Sequence, residues 1–364
     1  MSVRVGVVGL GTMGRSHARN VEELGHEVVA GVDIAAPCRE SFGGDFDAAT
    51  YEHHEGMLAD TDVDAVVITT PNRFHEEIAV GALERDCGVL VEKPLAHSVE
   101  SAERIAAAAD RSEGFCMVGF HNRFSPAAVT AKSYAERGRF GDVRHVEANY
   151  VRRRGIPGPG TWFTDESLSG GGALIDIGVH VLDLVLHLLD FPEVVEVVGN
   201  VRNTFGSRPD YADPEGWSRK DEVEGETFEV DDAVSAFLRC DSGETISLEV
   251  AWATNRKPTR DVVLRGTQAG AHMEVGGDEF ELLEADTAGV DHYVTSTVSA
   301  GPERTGLAAE DECFLEGVTR GEAPPINTVE EGLAVQRVID AIYESSESHR
   351  AVQLAETLSP VTAD

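Results

Sequence analysis

Lysine is almost absent from this 364-residue chain, which has four lysines beside 26 arginines. Acidic residues lie at the opposite extreme: 65 Asp and Glu against 30 Lys and Arg give a formal net charge of −35 at pH 7. A surface of this sign repels phosphate backbones and anionic membranes, so neither nucleic acid nor a lipid surface is an expected partner. An acid-rich, lysine-poor composition is typical of halophilic proteins, because salt at ~1 M shortens the Debye length to ~3 Å and screens self-repulsion.

Cysteine is scarce as well, with five residues scattered along the chain and no C-x-x-C pair. An odd, dispersed set excludes a disulfide framework and a zinc ribbon, and it favours a reducing compartment. Long uncharged apolar runs are also missing, since two histidines and two aspartates interrupt the best candidate, 179–191. No transmembrane helix is therefore expected. Because a strand and a motif follow Met1 directly, we expect no signal peptide, and hence a soluble, cytoplasmic protein.

What the chain does have is a regular alternation of strands and helices over its first third. Short β-branched runs at 3–8, 27–32, 65–69, 88–91 and 116–120 alternate with helical patterns at 13–24, 37–42, 75–85 and 98–109. Such alternation indicates a parallel sheet covered on both faces, the doubly wound Rossmann arrangement. At roughly 100–200 residues per domain, the length also predicts two domains.

After about residue 123 the pattern changes to long alternating strands with few helices between them. Strands are predicted at 145–152, 193–201, 233–239, 244–252, 261–265 and 271–275, and helices at 126–137, 174–189, 307–319 and 329–345. This pattern indicates an open, mainly antiparallel sheet with helices on one face. We therefore predict an α/β protein with a Rossmann domain over 1–122 and a second α/β domain over 123–364. The acid-rich stretch 210–232 is expected to be an exposed loop.

The first strand is followed at once by a G-x-G-x-x-G motif, Gly9-Leu10-Gly11-Thr12-Met13-Gly14. The first glycine permits a tight turn, the second lets a pyrophosphate approach the backbone, and the third lets helix and strand pack closely. The helix N-terminus adds partial positive charge for the phosphates. Because the motif lies between a strand and a helix, it predicts dinucleotide binding here.

Asp33 ends the second strand, where a carboxylate can accept hydrogen bonds from the ribose hydroxyls of the dinucleotide. The same carboxylate would repel a 2′-phosphate, and Ile34 and Ala35 offer no cation in exchange. NAD is therefore favoured over NADP as the cofactor. Arg39 is the residue that leaves NADP possible.

Two further motifs follow strands of the first domain: Thr70-Pro71-Asn72, with His75 close behind, and Glu92-Lys93-Pro94. Both lie at carboxyl ends of parallel strands, where open α/β sheets bind ligands. A surface ion pair is the structural alternative for Glu92 and Lys93. A rare lysine that stands directly after a buried strand, and before a proline that fixes the turn, favours a functional role.

The most informative stretch of the second domain is 170–183, where Asp176 and His180 are four residues apart and so share one helix face. A carboxylate beside an imidazole orients it and raises its basicity, as a general base that removes a hydroxyl proton requires. Asp183 and His187 continue the stripe and are expected to be structural. A metal site from His180, Asp183 and His187 is the alternative, but without another ligand cluster no metal is expected.

Candidates for substrate binding are less specific. Arg152 and Arg154 lie in a basic run, and strand alternation would place them on one face. They either hold substrate hydroxyls or a carboxylate, or they pair with surface acids. Trp162 offers a stacking face for a sugar, or else a core or interface contact. His121 and Asn122, at the end of a Rossmann strand, are expected to touch the nicotinamide pocket or the substrate.

Together with Asn122-Arg123-Phe124 and the stretch 327–345, these motifs resemble those of the glucose–fructose oxidoreductase, inositol dehydrogenase and rhizopine catabolism family (Gfo/Idh/MocA). The resemblance covers nearly the whole chain in the same order. It implies a Rossmann domain followed by a substrate-binding α/β domain whose open sheet commonly forms the subunit interface, hence a homodimer or homotetramer. It also implies that Lys93, Asp176 and His180 are the catalytic set.

The function implied by the resemblance is hydride transfer between NAD(P) and a secondary alcohol of a sugar, cyclitol or related polyol. In this scheme the nicotinamide lies near Lys93, and His180, oriented by Asp176, takes the hydroxyl proton while Lys93 hydrogen-bonds the same oxygen. One alternative is a hydrolase or lyase that retains NAD and returns the hydride. Another is a non-catalytic dinucleotide-binding regulator, which the presence of all three residues disfavours.

The charge predicts a stability that depends on salt. Raising KCl from millimolar to molar concentration should raise the melting temperature, because screening removes repulsion within the acidic surface. Thermal unfolding followed by circular dichroism measures the effect, with sucrose as the uncharged control. Equal melting temperatures at the two salt concentrations would contradict the halophilic interpretation.

Overall fold

The computed structural model describes residues 2–158, 160–208, 210–214, 228–301 and 304–354. The chain forms two compact units, one of Met1–His121 with Arg304–Gln336 and the other of Asn122–Glu303 with Arg337–Asp364. The boundary after residue 121 lies next to the predicted one. The continuous second domain predicted over 123–364 is wrong in one respect, because residues 304–336 return to the first unit.

The first unit is built on a parallel sheet whose described strands lie in the order β3–β2–β1–β4–β5–β6. These strands are β1 (Arg4–Val8), β2 (Glu27–Val32), β3 (Ala49–Tyr51), β4 (Ala65–Ile68), β5 (Gly88–Glu92) and β6 (Cys116–Gly119). The predicted doubly wound sheet is confirmed. The strand order reverses between β1 and β4, so ligand binding is expected at their carboxyl ends.

Helices connect these strands: α1 (Thr12–Glu23), α2 (Ala36–Phe46), α3 (His54–Asp60), α4 (His75–Leu83) and α5 (Val99–Ala109). Helix α1 buries Gly14, His17, Ala18 and Val21, the i, i+3, i+4, i+7 spacing of one helix face. At the start of α5, the Ser98 hydroxyl caps the helix. β3 and α3 were not predicted from the sequence, because each is too short to show a hydrophobic periodicity.

The second unit is built on a larger sheet whose described strands lie in the order β14–β13–β12–β11–β7–β10–β9–β8–β15. These strands are β7 (Val143–Val151), β8 (Val194–Arg202), β9 (Ala233–Cys240), β10 (Thr245–Ala251), β11 (Thr259–Gly266), β12 (Gly270–Glu274), β13 (Glu279–Asp286), β14 (His292–Ser299) and β15 (Val352–Gln353). Only β7 and β10 pair in parallel among the described strands of this second sheet, so the predicted, mainly antiparallel sheet is confirmed. β14 escaped prediction because it buries no residue.

Alternation along these strands makes one face of the second sheet apolar. Val146 and Ala148 of β7 pair with Ile246 and Leu248 of β10, and all four side chains are buried. Side chains between them, such as Glu147, point to the other face and stay partly exposed. This is the pattern of an antiparallel sheet with one solvated face.

The apolar face is covered by helices α6 (Pro126–Glu136) and α8 (Val179–Leu188), and the short helix α7 (Glu166–Ser169) precedes α8 in the chain. The single helix predicted over 174–189 differs at its start, where Leu174–Gly178 forms a π-helical turn that runs into α8. Gly178 lets this segment approach β10, because a Cβ there would lie 3.1 Å from Val250. The stretch Glu166–Leu188 is long and apolar enough to span a membrane, but 89% of its apolar 18-residue window is buried inside the protein.

The returning segment comprises α9 (Gly306–Arg320) and the start of α10 (Val329–Ser348). Phe314 of α9 packs edge-on against Phe115, with 5.8 Å between ring centroids. Asn327 lies between the two helices, and its carbonyl oxygen accepts the Val118 N–H over 2.8 Å at the outer edge of β6. These contacts explain why residues 304–336 belong to the first unit.

A buried ion pair fixes the start of the second unit to α8. The Arg123 guanidinium donates to Asp183 from Nη2 over 2.6 Å and from Nε over 3.0 Å. Both side chains are almost fully buried, and the guanidinium also lies over the Phe191 ring at 4.9 Å. Asp183 therefore has the structural role expected from the sequence.

Replacing Arg123 by alanine should destabilise the protein by about 3–5 kcal/mol, because Asp183 would be left as a buried, uncompensated charge. The control is Arg139→Ala, which removes an exposed pair with Glu284 and should cost less than about 1 kcal/mol. Denaturant unfolding at fixed molar salt measures both. Equal losses for the two variants would contradict the assignment.

Candidate active site

The glycine motif forms the turn between β1 and α1. Gly9 has φ +94°, a left-handed value suited to glycine, and a Cβ there would lie 2.8 Å from the Thr69 backbone. A Cβ on Gly14 would lie 2.0 Å from the Gly9 carbonyl oxygen, so helix and turn could not pack this closely with a larger residue. Gly11, the N-cap residue of α1, faces open space and has no side chain that could cap the helix N–H groups. The turn thus fits a pyrophosphate.

Asp33 lies beside this turn, directly after β2. Its Oδ2 accepts the Leu10 N–H over 2.9 Å, and its Oδ1 accepts the Ala35 N–H over 2.8 Å. Both bonds orient the carboxylate while leaving lone pairs for ribose hydroxyls. Arg39 donates to the Asp33 carbonyl oxygen over 2.6 Å and lies 3.7 Å from Glu52.

His75 joins the two motifs that follow β4 and β5. Its Nε2 lies 2.9 Å from the Thr70 carbonyl oxygen and its Nδ1 lies 3.0 Å from that of Pro94. Burial lowers the pKa of this imidazole, although both carbonyls oppose the shift. The Thr70 hydroxyl is buried without a hydrogen bond to the described residues, which fits a ligand-binding edge. Asn72 is buried beside it, and Pro71 is partly exposed.

Glu92 is the last residue of β5 and its side chain is buried. One carboxylate oxygen accepts the backbone N–H of Lys93 over 3.1 Å, and the other lies 3.3 Å from Nε2 of His17. Sequence reasoning missed His17 as well as Asp311, which lies on its other side. No local pattern relates residues so far apart in the chain.

In the second unit, His180 is nearly buried near the start of α8, and its Nδ1 lies 3.1 Å from the Asn122 side-chain nitrogen. Asp176 lies in the π-helical turn before it, and its Oδ2 accepts the indole N–H of the buried Trp252 over 2.9 Å. Asn122 and Trp252 thus each hold one member of the predicted pair. Sequence reasoning placed Asn122 at the pocket and missed Trp252.

A buried carboxylate also fixes the start of this helical segment. Asp231 accepts the N–H groups of Gly172 and Leu174 over 2.7 and 2.9 Å, and the Tyr343 hydroxyl over 2.7 Å. Burial raises the pKa of Asp231 and these bonds oppose the rise. The exposed loop predicted over 210–232 is therefore wrong at Asp231, which is buried to satisfy these donors; residues 215–227 lie outside the described part.

His187 lies further along α8 and differs chemically from His180. Burial, with the nearby charges of Arg123 and Lys132, lowers the pKa of His187 to about 3. Its imidazole is therefore neutral and a weak base. Among the residues that the structure describes, no three His, Cys, Asp or Glu side chains are grouped to hold a metal ion.

The remaining predicted residues lie at different places. β7 ends at Val151, before Arg152 and Arg154. The prediction that strand alternation places these two arginines on one face is therefore wrong. Arg154 is engaged by the carbonyls of Ala212, Arg153 and Thr254 and by the Asn255 side chain. Arg152 donates to the Gly155 carbonyl over 3.3 Å. Trp162 stacks on Phe163 at 3.9 Å, and His121 begins the short helix His121–Phe124.

Comparison with known proteins places these features in context. The family model described as "Oxidoreductase family, NAD-binding Rossmann fold" matches residues 3–120, and the Gfo/Idh/MocA C-terminal domain matches residues 128–272. The chain is 28% identical to D-glucoside 3-dehydrogenase of Escherichia coli (strain K12), with 97% of each chain covered. It is 31% identical to inositol 2-dehydrogenase 3 of Saccharopolyspora erythraea, covering 90% of this chain and 96% of that protein.

Solved structures show the same fold. A levoglucosan dehydrogenase in complex with NADH and levoglucosan superposes with a TM-score of 0.84 at 24% identity, covering 97% of this chain and all of that one. Since the two family models match in order along both units, this chain belongs to the Gfo/Idh/MocA family of oxidoreductases, and its first unit is the NAD(P)-binding Rossmann domain.

Proposed function

We propose that the protein is a dehydrogenase that transfers hydride between NAD(P) and a secondary alcohol of a sugar, cyclitol or related polyol. The observation that carries the proposal is the nearly buried imidazole of His180, held at Nδ1 by Asn122 in the unit that lacks the dinucleotide fold. An imidazole whose orientation is fixed by a hydrogen bond is suited to act as a general base towards a substrate hydroxyl. The named sugar and inositol dehydrogenases among the relatives support this substrate class.

In the proposed mechanism, His180 takes the proton of the substrate hydroxyl and returns it in the reverse direction. Asp176, which Trp252 holds by a hydrogen bond, stabilises the imidazolium that forms. Lys93 donates a hydrogen bond to the same oxygen and stabilises its developing negative charge. The glycine turn and Asp33 would hold NAD(P), which when bound would supply the acceptor or donor of the hydride.

We further propose that NAD is preferred over NADP. Hydrogen bonds to both of its oxygens fix the Asp33 carboxylate beside the glycine turn, so its negative charge remains next to the proposed ribose site. At ~4 Å, two unit charges repel by about 4 kcal/mol at an effective dielectric constant of 20. Arg39, the residue that could offset this charge, is engaged by the Asp33 carbonyl.

Substrate contacts are proposed for His121, Arg152 and Trp162, and with less support for Arg154, since most of its donors already have partners. Cofactor contacts are proposed for Thr70, Pro71, Asn72, His75, Glu92 and Lys93, in addition to the glycine turn and Asp33. His75 would act by holding its two loops in place, because its ring lies between the carbonyl oxygens of Thr70 and Pro94.

We also propose a cytoplasmic homodimer or homotetramer that associates through the solvated face of the second sheet. Phe237 of β9 and Leu283 of β13 remain exposed on their strands. Apolar side chains on an open sheet face are typical of subunit contacts.

Replacing His180 by alanine should lower kcat by about 10²–10⁴-fold, the usual contribution of a general base, while NAD affinity stays nearly unchanged. Steady-state kinetics and NADH fluorescence titration measure the two effects. His187→Gln is the matched control on the same helix, because its imidazole is neutral and is assigned no proton transfer. Normal turnover in His180→Ala would refute the assignment.

The activity itself is tested in molar salt with D-glucose, methyl glucosides, D-xylose, levoglucosan and inositols, each with NAD and with NADP. We expect NADH to form with at least one of these compounds, and NADPH to form more slowly. If the protein binds NAD but forms no net NADH, the result would indicate the hydrolase or lyase. If it binds the cofactor but turns over no substrate, the result would indicate the regulator.

Replacing Asp33 by serine should shift the cofactor preference towards NADP by about tenfold, because this shift requires the loss of only ~1.4 kcal/mol of the repulsion. The control is Asp60→Ser, which changes an exposed aspartate of the same unit.

A further inference from the structure

A buried cluster of ionisable side chains lies in the first unit, between α1, β5 and α9. His17 of α1 is fully buried, with Nδ1 2.6 Å from Asp311 and Nε2 3.3 Å from Glu92. The second Asp311 oxygen accepts the Asn20 side-chain N–H over 2.6 Å. The proposed mechanism assigns no step to this cluster, and only Glu92 among its residues is proposed above as a cofactor contact.

The two carboxylates keep His17 charged. Burial alone lowers the pKa of this imidazole, but Asp311 and then Glu92 raise it to about 10. Burial likewise opposes ionisation of Glu92, yet His17, with Lys93 and His121 nearby, lowers its pKa. Since both ring nitrogens face carboxylate oxygens, only the imidazolium can donate to both.

The cluster is connected to Lys93 through one carboxylate. One Glu92 carboxylate oxygen lies next to Nε2 of His17, and the other accepts the Lys93 backbone N–H. β6 closes a third side, because a Cβ on Gly119 would lie 3.3 Å from the Glu92 carboxyl carbon. The Glu92 carboxylate is therefore contacted on three sides, and one of these contacts is a hydrogen bond from the Lys93 backbone.

We propose that His17, as a cation anchored by Asp311, is a positioning residue that orients Glu92 and thereby holds Lys93 in place for hydride transfer. The inference rests on the proposed function of Lys93. Stability alone accounts poorly for such a cluster, because buried ion pairs are often no more stabilising than apolar packing of the same volume. A positioning role does account for it, since small displacements of a catalytic group reduce rates strongly.

The first test is His17→Gln, which keeps a polar side chain and removes the cation. Amide hydrogen exchange at Lys93, read by fragmentation mass spectrometry, should become faster, because Glu92 loses its orientation. With the panel sugar that gives the fastest turnover, kcat should fall by about 10–100-fold at a temperature where the variant is fully folded. His53→Gln, an exposed histidine of the same unit, is the control and should change neither.

The two readouts separate the possible failures. Unchanged exchange at Lys93 in folded His17→Gln would overturn the proposal, and so would faster exchange with normal kcat. The proposed function is tested separately on the variant Lys93→Met. Normal turnover in that variant would overturn the proposed function of Lys93.

A second variant, Asp311→Asn, tests the charge and remains informative if His17→Gln does not fold. In the wild type the imidazolium persists as pH rises until about pH 10. Without the Asp311 charge, burial should remove the proton at much lower pH, with Glu92 as the remaining carboxylate. The ratio of variant to wild-type kcat should therefore fall as pH rises from 6 to 9, which a purely structural role would not produce. A ratio independent of pH would contradict the proposal.

Discussion

Each carboxylate buried in this protein must find donors that replace the water it has lost, and the rest of the structure depends on how this is done. An unpaired carboxylate inside a fold costs several kcal/mol or loses its charge. Asp183 is satisfied by a guanidinium, Glu92 by an imidazole and a backbone N–H, and Asp231 by two backbone N–H groups and a phenol. In each case at least one donor comes from a segment distant in the sequence, so every carboxylate also joins separate parts of the fold.

These pairings place the proposed catalytic groups. Asp231 determines where the helical segment of Asp176 and His180 begins, and Trp252 and Asn122 hold the two side chains themselves. In the first unit, Asp33 likewise holds the glycine turn in place by accepting the Leu10 N–H. Precision in each unit therefore comes from buried hydrogen bonds, whose geometry is narrower than that of apolar contacts.

The charges on the surface behave differently. Exposed pairs such as Arg104 with Glu76 and Arg265 with Glu147 contribute at most about 1 kcal/mol each and are screened by salt. Buried pairs are screened much less. Salt should thus act on the acidic exterior while leaving the geometry around His180 and Glu92 nearly unchanged.

The sequence by itself determined the features that depend on contiguous residues. Strand and helix alternation, the glycine turn with Asp33, and the Lys93 motif at the end of β5 could be predicted because each follows from local periodicity or from a turn that glycine or proline fixes. The spacing of Asp176 and His180 singled them out as candidates, although it did not indicate the π-helical turn.

Only the tertiary structure decided which distant residues meet. The return of residues 304–336 to the first unit brings Asp311 to His17, and the folding of β10 onto the helical segment brings Trp252 to Asp176. No periodicity connects such pairs, because the free energy of burying a charge depends on all the groups that surround it in space. The residues that hold the site in place therefore become visible only when the chain is folded.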